Sequence, residues 1–123
     1  MILGIGIDAV KISRLEKWAE DSSLLERFFD PRELAVIMKR GKGMIRSLAS
    51  HFAAKEAFGK ALGTGFTGIA LRDIMVLNSR DEKPVMHLEG TALQATNNAG
   101  AKTVHVSLTH DGDIALAFVI LEV

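Results

Sequence analysis

Ile45-Arg46-Ser47-Leu48-Ala49-Ser50-His51-Phe52-Ala53-Ala54-Lys55-Glu56-Ala57-Phe58-Gly59-Lys60-Ala61-Leu62-Gly63 carries the longest helical pattern in the chain. Gly63 suits the position just past a helix end, where a left-handed backbone is common. At about 100° per residue, apolar side chains occupy most of the wheel, so this helix is expected to be largely buried. Its alanines and Gly59 favour close approach by its neighbours. Glu56 falls among Ile45, Ala49, Phe52 and Ala53 on that wheel, where a carboxylate is costly unless paired, hydrogen-bonded or metal-bound.

Upstream of this helix, residues 2–8 read as a strand, with Leu3, Ile5 and Ile7 on one face and Gly4, Gly6 and Asp8 on the other. Asp8 then ends the strand. A helix follows with Ser13 and Glu16 in capping-box register, and a short one over about 24–29. A third starts with Asp30 as cap, Pro31 in the first turn and Glu33 completing a capping box. Gly41-Lys42-Gly43 breaks the pattern as a loop. Downstream, strands are expected over 69–77 and 84–88, a helix over 91–98, and strands over 103–109 and 114–121, with Asp111-Gly112 as a hairpin turn. The order predicts a single α+β domain over 1–123, its helices packed on one largely antiparallel sheet.

Composition narrows the function. Hydrophobic residues make up 48% and charged residues 24%, which fits a packed core. Fifteen basic side chains balance fifteen acidic ones, so a nucleic-acid partner is not expected. The absence of cysteine excludes a thiolate nucleophile and a disulfide framework, and fits a cytoplasmic protein. The N-terminal stretch does not read as a signal peptide, and no apolar run is long enough for a membrane span.

Three segments carry candidate chemistry. Asp8 shares a face with two glycines, which leave room for a ligand or another backbone; it also suits a turn or helix entry. Lys60 lies one turn after Glu56, at the spacing of an ordinary helix ion pair. Backbone amides of Gly63-Thr64-Gly65 suit a phosphate cradle as well as a helix stop. His105, Ser107 and Thr109 line one face of a strand, which is either solvated or a contact surface. Ser107 sits mid-strand rather than on a sharp turn, so a hydrolase triad with His105 and Asp111 is not favoured.

Together these segments resemble the holo-acyl-carrier-protein synthase family. The matching stretches are Gly4-Ile5-Gly6-Ile7-Asp8 with Arg14 beyond it, Phe52-Ala53-Ala54-Lys55-Glu56-Ala57 continuing through Lys60-Ala61-Leu62-Gly63-Thr64-Gly65, and His105-Val106-Ser107-Leu108-Thr109-His110. Weaker matches are Asp73-Ile74 and Lys83-Pro84. The resemblance implies the 4′-phosphopantetheinyl transferase fold and transfer of phosphopantetheine from coenzyme A to a serine of apo-acyl carrier protein, in support of fatty acid biosynthesis. It implies Asp8 and Glu56 as Mg²⁺ ligands and Lys60 near the transferred phosphate, the three forming the catalytic set. It implies coenzyme A contacts from Arg46, Gly63, Thr64, Gly65 and the strand of His105, Ser107 and Thr109, and a homotrimer with active sites between subunits. Arg14 matches a basic position facing an acidic carrier protein, and Lys17 and Arg27 are further docking candidates. One departure is His51, where the family commonly has arginine; it cannot make a bidentate fork, so coenzyme A affinity or its pH dependence is expected to differ. The residue that takes the serine proton is left open among Glu56 or Asp8 through a water, and a neutral Lys55 or Lys60.

Overall fold

The computed structural model describes residues 1–123. Strand β1 (Ile2–Lys11) leads through a 3₁₀ turn (Ile12–Leu15) into three short helices, α1 (Glu16–Ala19), α2 (Ser22–Phe28) and α3 (Pro31–Met38). The long helix α4 (Met44–Leu62) follows, then β2 (Ile74–Asn78), β3 (Pro84–Leu88), α5 (Gly90–Ala99), β4 (Thr103–Asp111) and β5 (Ile114–Glu122). The α+β class stands. The five strands divide between two antiparallel sheets, β1-β5-β4 and β2-β3, rather than joining one; β3 lies beside β4.

Glycine sets how β1 and α4 meet. A Cβ at Gly4 or Gly6 would collide with the carbonyl oxygens of Ala61 and Ala57, so the two backbones pack directly. The sheet's inner face presents Gly6, Asp8 and Val10 of β1, Ala115, Ala117 and Val119 of β5, and Val106 and Leu108 of β4. α4 packs on it and buries Leu48, Ala49, Phe52, Ala53, Ala57, Phe58 and Ala61 around most of its circumference, as its wheel predicts. Gly63 ends α4 at φ 81°, in the left-handed region expected of it. The outer face is different in kind: Leu3, Ile5 and Ile7 stay 42–59% exposed, and Phe118 beside Ile7 is 38% exposed.

Several local expectations change. The first strand continues to Lys11, so Asp8 is an interior strand residue opposite Ala117, not its end. Ser13 does not open a capping box; its amide and hydroxyl donate to Asp113 at 3.0 and 2.7 Å, tying the 3₁₀ turn to the β4–β5 turn. Asp30 caps α3 through the Arg32 amide, yet Glu33 turns inward and is fully buried instead of capping. Residues 69–73 form a turn rather than strand, and Gly41–Gly43 is a 3₁₀ turn. Trp18 packs as core, its ring 5.5 Å from Phe28 and 4.9 Å from Phe52.

Candidate active site

Asp8 reaches the flank of α4 because the glycines beside it bring that helix onto the strand. Lys60 Nζ donates to Asp8 Oδ1 at 3.0 Å and to the Ile7 carbonyl at 3.0 Å. The expected Glu56–Lys60 helix pair is therefore replaced by a pair across elements: Lys60 is drawn to the strand by a carboxylate and a carbonyl together. Glu56 is half-buried beside them. Burial first, and then the neighbouring Asp8 carboxylate, push Glu56 above the ordinary range of its type; Lys60 and Arg14 oppose this without cancelling it. Two carboxylates from separate elements thus lie near enough to repel, and the neighbouring cations do not cancel the effect on Glu56.

Arg14 lies at the rim of this site, its guanidinium 5.9 Å from the Phe52 ring centre. Lys17 and Arg27 are exposed on α1 and α2. Lys55 is removed from the group of proton acceptors. It is fully buried and donates to Glu33 Oε1 at 2.6 Å, to the Leu71 carbonyl at 3.0 Å, and to the Ile74 carbonyl.

A second polar region is a cleft of about 260 Å³ on the other side of α4. Arg40, Arg46, Ser47, Ser50, His51 and His110 line it. His51 and Glu56 differ by about 140° around the helix, so the carboxylates and the cleft face away from each other. The sheet separates them likewise: Asp8 and Leu108 share one inner row, on β1 and β4, about 10 Å apart across β5. Two arginines with two hydroxyls suit a phosphate group.

Other expected residues stand apart from Asp8. His105, Ser107 and Thr109 point to the outer face, where Ser107 pairs with Phe118 across the strands. His105 Nε2 contacts Glu122 Oε1 at 3.0 Å, so no triad with Ser107 forms. The Gly63 and Gly65 amides both donate to the Gly59 carbonyl at 3.1 Å and are not free to cradle phosphate; only Thr64 keeps its amide. Arg40, Asn78 and His110 line the cleft without having been singled out in the sequence. Glu33, expected as a cap, lies one turn before Ile37 on an apolar face, a signal of burial that the sequence did carry.

Residues 4–119 match the family model of the 4′-phosphopantetheinyl transferase superfamily. The chain is 55% identical to the holo-[acyl-carrier-protein] synthase of Treponema denticola over 99% of both chains, and 49% identical to that of Trichlorobacter lovleyi over 99% and 98%. Among solved structures, the holo-[acyl-carrier-protein] synthase of Neisseria meningitidis superposes with a TM-score of 0.89 at 34% identity, covering 99% of each chain. That of Helicobacter pylori in complex with coenzyme A superposes at 0.82 with 31% identity, covering 96% and 99%. The chain belongs to the 4′-phosphopantetheinyl transferase superfamily. Within it, the chain is a member of the holo-acyl-carrier-protein synthase family of enzymes.

Proposed function

We propose that this enzyme transfers the 4′-phosphopantetheine group of coenzyme A to a serine of an apo-acyl carrier protein, releasing adenosine 3′,5′-bisphosphate, with Mg²⁺ held by Asp8 and Glu56. The reading extends to a role in fatty acid biosynthesis in the cytoplasm. The observation that carries it is the Asp8–Glu56 pair, gathered from β1 and α4 with Lys60 as the one ammonium bonded to it.

The donor set fits the metal: both groups are hard carboxylate oxygens, and Mg²⁺ is usually bound by one or two of these with substrate phosphates and water. The mutual repulsion that raises Glu56 is what a cation relieves. When bound, Mg²⁺ supplies charge neutralisation at the phosphate under attack. The chain's own residues do the rest. Lys60 holds a positive charge at Asp8, where it can stabilise the leaving phosphate oxygens. Glu56 and Asp8 are the carboxylates placed to take the serine proton through a water. Phosphoryl transfer needs little more than such positioning and charge.

We further propose a homotrimer with shared sites. The cleft of Arg40, Arg46 and His51 suits the nucleotide end of coenzyme A, but it faces away from Asp8 and Glu56 of its own chain. A second copy docked on the apolar outer face of Leu3, Ile5, Ile7 and Phe118 would bury that face and bring one chain's cleft to another's carboxylates. Thr64, His105, Ser107 and Thr109 complete the proposed donor contacts, and Arg14, Lys17 and Arg27 offer exposed positive charge to an acidic carrier protein.

Mass spectrometry of an apo-acyl carrier protein incubated with the enzyme, Mg²⁺ and coenzyme A tests the reading. A phosphopantetheine adduct on one serine is expected. Labelling from ATP, with none from coenzyme A, would replace it with another phosphotransfer.

A further inference from the structure

Glu33, His51 and Lys55 form a second polar cluster, from α3 and α4, and His51 is its one member that reaches the arginine cleft. The Glu33 and Lys55 side chains have no exposure and that of His51 has 6%. Glu33 Oε1 takes the Lys55 ammonium at 2.6 Å; Oε2 takes the Val76 amide at 3.0 Å and meets His51 Nδ1 at 2.9 Å. A carboxylate oxygen can only accept, so His51 Nδ1 carries hydrogen and the ring's remaining choice lies at Nε2. His51 Nε2 has no protein partner, yet no buried side-chain nitrogen or oxygen in the molecule lacks one. Nε2 is therefore the atom through which His51 opens into the arginine cleft.

We propose that His51, locked by Glu33 with Nε2 toward the cleft, makes the cleft's hold on a nucleotide phosphate depend on a single proton. This rests on the reading of the cleft as the site for the nucleotide end of coenzyme A. Neutral, Nε2 presents a lone pair that a phosphate oxygen avoids. Protonated, it donates a charge-assisted hydrogen bond to that oxygen. Arg40 and Arg46 stay charged throughout, so they supply a constant attraction. The other groups around the ring are Glu33 and Lys55 behind it, and His110 of β4 and Glu82 of the β2–β3 turn across the cleft. Of these only His110 shares the chemistry of His51, so it is the control.

The test is calorimetric binding of adenosine 3′,5′-bisphosphate, with adenosine 5′-monophosphate as reference, from about pH 5.5 to 8, where imidazoles change charge. The proteins are the wild type, His51→Arg, His51→Gln and His110→Asn, each first verified as folded by urea titration. The phosphate monoester itself titrates near pH 6, but equally for every protein, so the ratio between proteins isolates the ring. Relative to His51→Arg, wild-type affinity for the bisphosphate is expected to fall roughly tenfold as pH rises, the size of one charged hydrogen bond. His51→Gln should bind weakly with no drift against His51→Arg, and His110→Asn should keep the wild-type drift. A constant wild-type to His51→Arg ratio, or loss of the drift in His110→Asn, overturns the proposal. If these results come with intact transfer from coenzyme A, only this inference fails. Absence of both transfer and bisphosphate binding overturns the functional reading beneath it.

Discussion

Two carboxylate–lysine clusters are built on α4, and they behave in opposite ways. Glu33 and Lys55 are fully buried, and each is closed off: the carboxylate meets an ammonium, an imidazole and an amide, the ammonium a carboxylate and two carbonyls. Burial pushes the Lys55 ammonium down, while Glu33 pulls the other way. Asp8, Glu56 and Lys60 lie at the surface with two carboxylates to one ammonium. Complete compensation makes the first cluster framework, tying α3, α4 and β2 together. The second keeps a surplus of negative charge, which the proposed Mg²⁺ would offset.

Breaking the buried pair should have the largest effect. Lys55→Met leaves Glu33 charged in an apolar surround, and about 3–5 kcal/mol of stability is expected to be lost. Urea unfolding measures it; turnover per folded molecule should be unchanged. A loss under about 1 kcal/mol would make the cluster no more than a surface pair.

At the other cluster the signs reverse. Asp8→Asn and Glu56→Gln should each lower turnover roughly a hundredfold or more, with the melting temperature of the metal-free protein unchanged or raised. The double variant should be little worse than the worse single one, because groups serving one ion are non-additive. Near-normal turnover in either single variant would remove that residue from the site.

Ile7→Lys on the outer face tests whether a second chain completes the site. Burial of such a side chain is worth about 1.5–3 kcal/mol, so light scattering should report smaller particles and activity should fall with them. A wild-type monomer of full activity would dismiss the shared site. Arg14→Glu is gentler. Carrier-protein association should slow and lose much of its salt dependence, as for a rim charge, while coenzyme A binding persists by calorimetry. Loss of coenzyme A binding with docking intact would move Arg14 from the rim into the donor site.

The smallest effect concerns pH. A raised carboxylate binds its proton more tightly in the folded chain than in the unfolded one. Glu56 therefore favours folding at low pH, and that contribution is lost as pH rises from the ordinary glutamate range through its raised value. Metal-free protein should show this slope in melting temperature, and Glu56→Gln should flatten it. Equal slopes in both proteins would contradict the charge imbalance at Asp8.

Much of this molecule is legible in one dimension. The burial of α4, its stop at Gly63, the strand faces of 2–8, the Asp30 cap and the final hairpin follow from local periodicity and turn chemistry, which act within a few residues. The residue types at Asp8, Glu56 and Lys60 were equally visible, because carboxylates beside glycines or inside an apolar helix are costly without a purpose. The family resemblance grouped the three, but which carboxylate Lys60 binds was not legible. Sequence spacing favoured Glu56 with Lys60, one turn apart, whereas close packing at Gly4 and Gly6 delivered Lys60 to Asp8, 52 residues away. Glu33 followed the same rule: its spacing fitted a helix cap, and only the tertiary structure supplied the better partners His51, Lys55 and Val76. Local patterns decide which face of an element is buried; which charges meet there depends on backbones packed from distant parts of the chain, and no local spacing encodes that.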